Sequence, residues 1–420
     1  MAAHFPFSAD ARQTLLSIPP LLPRMLPRLL LAALAVVSSS VPQIVAAAPL
    51  TVLVNPGDIG EQSRHSNFQV LSAAVTEALR ENRAGEIATQ MSTDAAADLS
   101  GTRAQTHDFY VAPAHVVASA LRHGYVPLAG SPASVQAVLV TLKGSGLTTL
   151  PQTAGLRLGL PLQDSVVTYL VRGELNAANV SLKTHFRAVR NMRYQDALLV
   201  CLKIRECEVV GVERAVFERW KAAGEPVSSF LESRPVPGIS VVVRQSLVAT
   251  PAVRNLQPVL LRTLSSAAVG KSGIDRPGAI EKREYDYVST LGYFTPRQLP
   301  GATVLDAAAV VRMLAEGASY IDTRTEAEFK QGHVPSARWL PYVEKSVKDT
   351  DYDAKLDTFD VTKLPADKAA PLIFACNGAE CWKSYKASHA ALKAGYTRVY
   401  WFRGGIPEWR AGERAVAIGS

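Results

Sequence analysis

An α/β fold is predicted for this chain of 420 residues, and three observations lead to it. Short apolar runs alternate with stretches of helical periodicity from residue 50 to about residue 265, a pattern that builds parallel sheets flanked by helices. A stretch rich in Ser, Gly, Pro and charge interrupts this over 266–300, and the alternation then resumes to the C-terminus. The chain therefore divides into an N-terminal segment over 1–47, a first module over 48–265, a linker over 266–300 and a second domain over 301–420.

The N-terminal segment reads as an export signal. Met25-Leu26-Pro27-Arg28 is a basic start, Leu29 to Val37 an apolar core, and Val45-Ala46-Ala47 a small-residue cleavage site. The apolar run is too short to cross a bilayer as a helix, so a cleaved signal and a periplasmic protein are expected, with translation starting at Met1 or Met25. A net charge of +8, spread along the chain and not gathered into basic runs, gives no footprint for nucleic acid. Export places the four cysteines under oxidising conditions. The spacing of Cys201 and Cys207 suits neither a zinc pair nor a Cys-x-x-Cys motif, so they are read as structural. They can be bridged if the turn between them brings their Cα atoms within about 7 Å. No histidine cluster accompanies any cysteine, and no metal or other cofactor is expected.

In the first module, Leu50 to Val54 is a strand and Phe68 to Leu79 a helix. A second unit follows in Asp108 to Val111, the helix Ala114 to Arg122 and the strand Gly124 to Ala129. Further strands are read at 135–142, 156–161, 208–212 and 239–243, with a helix opening near Asp164-Ser165. The segment Asp108-Phe109-Tyr110-Val111-Ala112-Pro113-Ala114-His115, followed by Gly124-Tyr125-Val126-Pro127-Leu128-Ala129, resembles the substrate-binding proteins of phosphonate-type ABC importers. The stretches Gly159 to Thr168 and Arg193 to Leu198 fall in the same order as in that family. The resemblance implies a two-lobed periplasmic-binding-protein-like module, a small-anion ligand, and an ABC permease or sensor kinase as partner. Tyr110, Ser145, Ser165 and Thr168 are the candidate ligand contacts. Two valines separate the hydroxyls of Ser165 and Thr168, so side-chain donors are fewer than a phosphonate cradle would offer; the helix start still supplies N–H groups for an anion.

The second domain carries the chemistry. An apolar run, Pro371-Leu372-Ile373-Phe374-Ala375, leads into Cys376-Asn377-Gly378-Ala379-Glu380-Cys381-Trp382-Lys383-Ser384 and then a helix. A strand, a polar loop and a helix start place a thiol where backbone N–H groups and the helix dipole stabilise its anion. Upstream, Ile321-Asp322-Thr323-Arg324 through Glu328-Phe329 to Gly332-His333-Val334-Pro335 resembles the rhodanese family, as does the ending Gly404-Gly405-Ile406-Pro407-Glu408-Trp409. The resemblance implies a doubly wound parallel-sheet domain and a sulfurtransferase. In it Cys376 would take sulfane sulfur from a small donor such as thiosulfate, hold it as a persulfide and pass it to a thiol or cyanide. Asn377, Gly378, Ala379, Glu380, Cys381, Trp382, Lys383 and Ser384 would form the active-site loop, supported by Asp322 and Arg324. Two alternatives stand beside this. One is a solute-binding or sensor protein whose rhodanese-like part does not turn over. The other is a relay in which Cys376 and Cys381 cycle between dithiol and disulfide.

Overall fold

The computed structural model describes residues 48–92 and 94–419, and the export signal expected over 1–47 lies outside them. Among the described residues no helix is long and apolar enough to cross a membrane.

The first lobe runs β1 (Leu50–Val54), α1 (Glu61–Glu81), β2 (Ile87–Met91), α2 (Ala95–Ala104), β3 (Phe109–Ala112), α3 (Ala114–Arg122) and β4 (Tyr125–Gly130). The second comprises β5 (Ala137–Leu142), β6 (Arg157–Pro161), α4 (Val166–Ala177), α5 (Leu182–His185), β7 (Ala188–Met192), α6 (Asp196–Lys203), β8 (Val209–Glu213), α7 (Arg214–Ala222) and β9 (Val227–Glu232). The chain then returns to the first lobe with β10 (Ser240–Arg244), α8 (Leu256–Leu264), α9 (Ala267–Lys271) and α10 (Asp286–Ser289).

Each lobe has a sheet of five strands, ordered β2-β1-β3-β10-β4 and β7-β6-β8-β5-β9. In both, three parallel strands meet a single antiparallel strand, β10 or β5, that carries a further antiparallel neighbour. The strands at the sheet centres are near-continuous apolar runs because helices cover both faces. Val52 and Val54 face one core while Leu53 faces another. Cys201 and Cys207 are joined by a disulfide with Cα atoms 5.2 Å apart, and both lie in the core of the second lobe.

The segment read as a linker over 266–300 is not a loose tether. Ile274, Ile280, Tyr285 and Val288 are buried in the cores of the first module, and the Tyr285 hydroxyl donates to Ser240 Oγ at 2.7 Å. Apolar side chains spaced among the polar ones give it something to bury, which a composition average conceals.

The last domain runs β11 (Ala302–Val304), α11 (Ala307–Ala315), β12 (Ser319–Asp322), α12 (Glu326–Gln331), β13 (Arg338–Trp339), β14 (Leu372–Ala375), α13 (Trp382–Lys393), β15 (Val399–Phe402) and α14 (Gly405–Ala411). Its sheet is wholly parallel, ordered β11-β15-β14-β12-β13, with β14 in the middle. Ile373 and Ala375 pack with α11 and α14 on one face, and Leu372 and Phe374 with α13 on the other, so the sheet is doubly wound. Helices α12 and α14 also pack against α2 of the first lobe.

A polar latch joins the two lobes beneath the cleft between them. Gln195 Nε2 donates to Asp58 Oδ1 at 2.7 Å and to Glu213 Oε1 at 2.9 Å, while its own backbone amide reaches the Asp58 carbonyl at 2.9 Å. Both carboxylates keep some exposed surface, yet the protein crowded around them dominates. Burial, and then the Asp58 charge, pushes Glu213 up to about 7, and burial raises Asp58 as well. A carboxyl raised in the folded state stabilises below its unfolded value and loses that contribution as pH rises through the folded one. The contribution of this pair to stability should therefore decline between about pH 4.5 and pH 7, the interval from the unfolded to the raised folded value of Glu213. Glu213→Gln should flatten this decline in calorimetric scans across the same range.

Candidate active site

Strand β14 delivers Cys376 to the C-terminal edge of its sheet, the side where open α/β sheets bind ligands. The chain then turns through Gly378, whose φ of 88° lies in the left-handed region that glycine tolerates, and enters α13 with Cys381 as the N-cap residue. The Cys381 amide donates to the Gly378 carbonyl at 2.9 Å, which closes the loop on itself. The amides of Asn377, Gly378, Ala379 and Glu380 have no protein acceptor among the described residues. The other wall is the Gly404-Gly405 turn. Gly405 has φ 54°, its neighbour Ile406 donates to the Cys376 carbonyl at 3.0 Å, and a Cβ on Gly405 would lie 2.0 Å from that oxygen. Only glycine lets the two turns approach this closely.

Within the loop Cys376 and Cys381 form a disulfide, with Cα atoms 6.1 Å apart and exposures of 1% and 4%. Much of what holds the rest of the loop comes from outside the last domain. Glu380 pairs with Arg122 at 2.6 Å and Arg103 at 3.6 Å, both from the first lobe. Asn377 Nδ2 donates to Glu328 Oε1 at 2.7 Å, and Ser100 of α2 donates to the same oxygen at 2.5 Å. Thr295 holds the Ala379 carbonyl through its amide at 2.8 Å and its hydroxyl at 2.7 Å, and Trp382 Nε1 donates to the Tyr293 carbonyl at 2.8 Å. Burial works against charge on Glu328, but Lys383, Ser100 and Thr325 together hold its carboxyl below the usual carboxylate range.

A second concave site lies between the lobes. This cavity of about 660 Å³ is lined by residues that include Asn55, Asp58, His115, Asp164, Ser165 and Arg193. Ser165 caps α4, accepting from the Val167 amide at 3.2 Å, so the helix N-terminus opens towards the cleft. His115 is neutral, because burial lowers it to about 4. The short contact of its Nε2 with the Asp164 carbonyl, 2.7 Å, makes that nitrogen the donor and leaves the buried Nδ1 without a partner.

Two family profiles match the chain. Residues 62–285 match the ABC transporter, phosphonate, periplasmic substrate-binding protein family, more than half of the chain. The chain belongs to that family. Residues 306–412 match the rhodanese-like domain, so the phosphonate-type binding protein carries a rhodanese-like domain at its C-terminus. No curated protein matches the sequence. Among solved structures, PhnD1 of Prochlorococcus marinus in complex with methylphosphonate aligns at 16% identity and TM-score 0.48, covering 58% of this chain and 96% of that one. A binding-protein component of an ABC phosphonate transporter from Pseudomonas aeruginosa aligns at 16% identity and TM-score 0.46, covering 58% and 85%. The periplasmic aliphatic sulphonate binding protein SsuA of Escherichia coli aligns at 10% identity and TM-score 0.40, covering 53% and 78%.

The structure gathers some of the residues singled out by sequence and scatters others. Of the four candidate contacts in the binding module, Ser165 lines the cleft. Thr168 turns its hydroxyl back to the Leu162 carbonyl at 3.0 Å, Tyr110 is buried with its hydroxyl 3.0 Å from Thr106, and Ser145 caps the Leu147 amide in an exposed turn. Asp322 and Arg324 form a fully buried ion pair, Nη2 to Oδ2 at 2.6 Å, that also ties the Gly332 carbonyl. They support the edge of the sheet and have no hydrogen bond to the cysteine loop. Ser384 accepts from Trp401 Nε1 at 3.1 Å, which fixes α13 on the sheet. His333 stacks on Phe329 with ring centroids 3.8 Å apart.

Sequence reasoning did not assign roles to Ser100, Arg103 and Arg122, which reach the loop from 200 or more residues away in sequence. Glu328 was within reach, because Thr325-x-x-Glu328 is a capping box just ahead of α12. The tightest local constraint is the Gly405 contact. Gly405→Ala should cost about 3 kcal/mol through left-handed strain together with the clash at the Cys376 carbonyl. A lowered melting temperature and faster reduction of the Cys376–Cys381 disulfide would register it.

Proposed function

We propose that this protein is an exported sulfurtransferase that carries sulfane sulfur on Cys376, joined to a module that binds a small anion and works with a membrane permease or a sensor kinase. One observation carries the reading. Cys376 stands at the end of the central strand of a parallel sheet, in a loop with four amides that find no protein acceptor among the described residues and that runs into the N-terminus of α13. Amides and a helix dipole at that position favour both a thiolate and an anionic donor.

The chemistry follows from the state of the loop. An external dithiol reduces the Cys376–Cys381 disulfide, supplying two electrons and two protons and itself becoming a disulfide. The Cys376 thiolate attacks the outer sulfur of thiosulfate; the sulfur–sulfur bond of the donor breaks and sulfite leaves with its electron pair. A cyanide or thiolate acceptor then removes the outer sulfur of the persulfide and returns the Cys376 thiolate. Cys381 offers a second exit. Its thiolate attacks Cys376 Sγ, expels hydrosulfide and restores the disulfide. Asn377 and Glu380 keep the loop in register through Glu328, Arg103 and Arg122, and Lys383 adds positive charge beside the site.

The disulfide itself favours a second reading, a relay in which the two cysteines exchange electrons with partner thiols and no persulfide forms. Mass spectrometry of the reduced protein after thiosulfate distinguishes the two. Under sulfur transfer, one added sulfur atom is found on the Cys376 peptide, Cys381→Ser prolongs its lifetime, and Cys376→Ser lowers turnover at least about a thousandfold. Equal turnover in wild type and Cys376→Ser would defeat the enzyme reading, and immediate disulfide without added sulfur would establish the relay.

A further inference from the structure

The rhodanese-like domain reaches into the cleft of the binding module. Loop residues Glu344, Lys345, Ser346 and Lys348 form part of the wall of the cavity between the lobes. The Lys348 ammonium donates to both carboxylate oxygens of Asp164, at 2.7 and 2.8 Å, and the Lys348 amide donates to Gln163 Oε1 at 3.0 Å. Only 10% of the Lys348 side chain and 12% of that of Asp164 are exposed. Beyond the cleft, Lys183 of α5 pairs with Asp349 at 2.8 Å.

This loop is built in advance by its own domain. Lys386, fully buried on α13, binds Glu344 at 2.7 Å and Ser346 Oγ at 2.8 Å. Asp357 accepts from the amides of Lys345 and Ser346 at 2.6 and 2.7 Å. The result is a braced finger whose Lys348 lines the same cavity as Ser165 at the N-terminus of α4 and as His115, whose buried Nδ1 has no partner among the described residues. An exposed ion pair would contribute little, but a pair this desolvated leaves an uncompensated charge when one partner is removed. The same domain touches the first lobe through the Ser100, Arg103 and Arg122 contacts that cover the cysteine loop. Lys386 and Cys381 belong to the same helix and its cap, so the finger and the covered disulfide are parts of one body.

We propose that Asp164 is an ammonium-binding site that holds Lys348 as a tethered ligand, so that the rhodanese-like domain closes one wall of the solute cleft of its own chain. While the finger is seated, the cysteine loop stays covered by the first lobe. A solute whose ammonium takes Asp164 displaces the finger, and the finger's departure loosens the domain and opens the way to Cys376 and Cys381. The inference concerns access to the disulfide and holds whether the loop transfers sulfur or electrons.

The test uses the full chain and two disulfides that report on each other. Reduction by a phosphine, quenched with iodoacetamide at intervals and read by peptide mass, gives separate rates for the Cys376–Cys381 and Cys201–Cys207 pairs. Lys348→Met and Asp164→Asn should each speed reduction of Cys376–Cys381 roughly tenfold while leaving Cys201–Cys207 unchanged. The charge-swapped double variant, Lys348→Asp with Asp164→Lys, should return the rate towards wild type. Wild-type rates in both single variants would overturn the proposal. So would equal acceleration at both disulfides, which would report general destabilisation and not the release of a finger.

Discussion

Strand β14 ends in the middle of a five-stranded parallel sheet, and the geometry of the candidate active site depends on that end. Both faces of the strand are buried, Leu372 and Phe374 on one side and Ile373 and Ala375 on the other, so its register cannot slip without exposing one set. Cys376 is thereby fixed at the edge where strand amides run out and helix amides begin. Gly405 then closes on its carbonyl at a distance no side chain would allow.

On that base the two modules share polar contacts that neither would make alone. Glu380 and Asn377 belong to the cysteine loop, yet the groups that hold them include Arg103, Arg122 and Ser100 from the binding module. In the other direction, Lys348 leaves the rhodanese-like domain to reach Asp164. These contacts sit on opposite lobes, the first on α2 and α3 and the second at the start of α4. A domain anchored to both lobes ties them together through its own side chains, which makes the fusion more than a joining of two independent parts.

The electrostatics are arranged by the same logic of burial. Asp322 and Arg324 pair with both side chains buried, Lys386 is surrounded by Glu344, Asp357 and Ser346, and Gln195 bridges Asp58 and Glu213. Each group has a partner within its own module or at a seam, as buried charge requires. Among the described residues the Nη1 of Arg324 and the Nδ1 of His115, a residue of the cleft lining, are exceptions with no hydrogen-bond partner.

Much of the fold was legible in the sequence. The strands at Leu50–Val54 and Leu372–Ala375 and the helix Ala114–Arg122 fall where the apolar patterns place them, because a buried strand or a two-sided helix leaves a periodic record in neighbouring residues. The thiol at a strand-to-helix turn was legible for the same reason, since strand, loop and helix are contiguous. The packing of 266–300 was obscured by averaging over a mixed composition. What sequence could not assign is the set of partners brought together by folding: Arg122 with Glu380, Ser100 with Glu328, and Lys348 with Asp164 lie between 184 and 258 residues apart. No local pattern encodes such a pairing. The sequence by itself determined two α/β modules and a cysteine at the end of a strand, because periodicity and turn chemistry are local. Only the tertiary structure decided that the cysteine loop is held by residues of the binding module and that the chain's own Lys348 pairs with Asp164 in the wall of the cleft, because complementary charge and shape are created when distant segments meet.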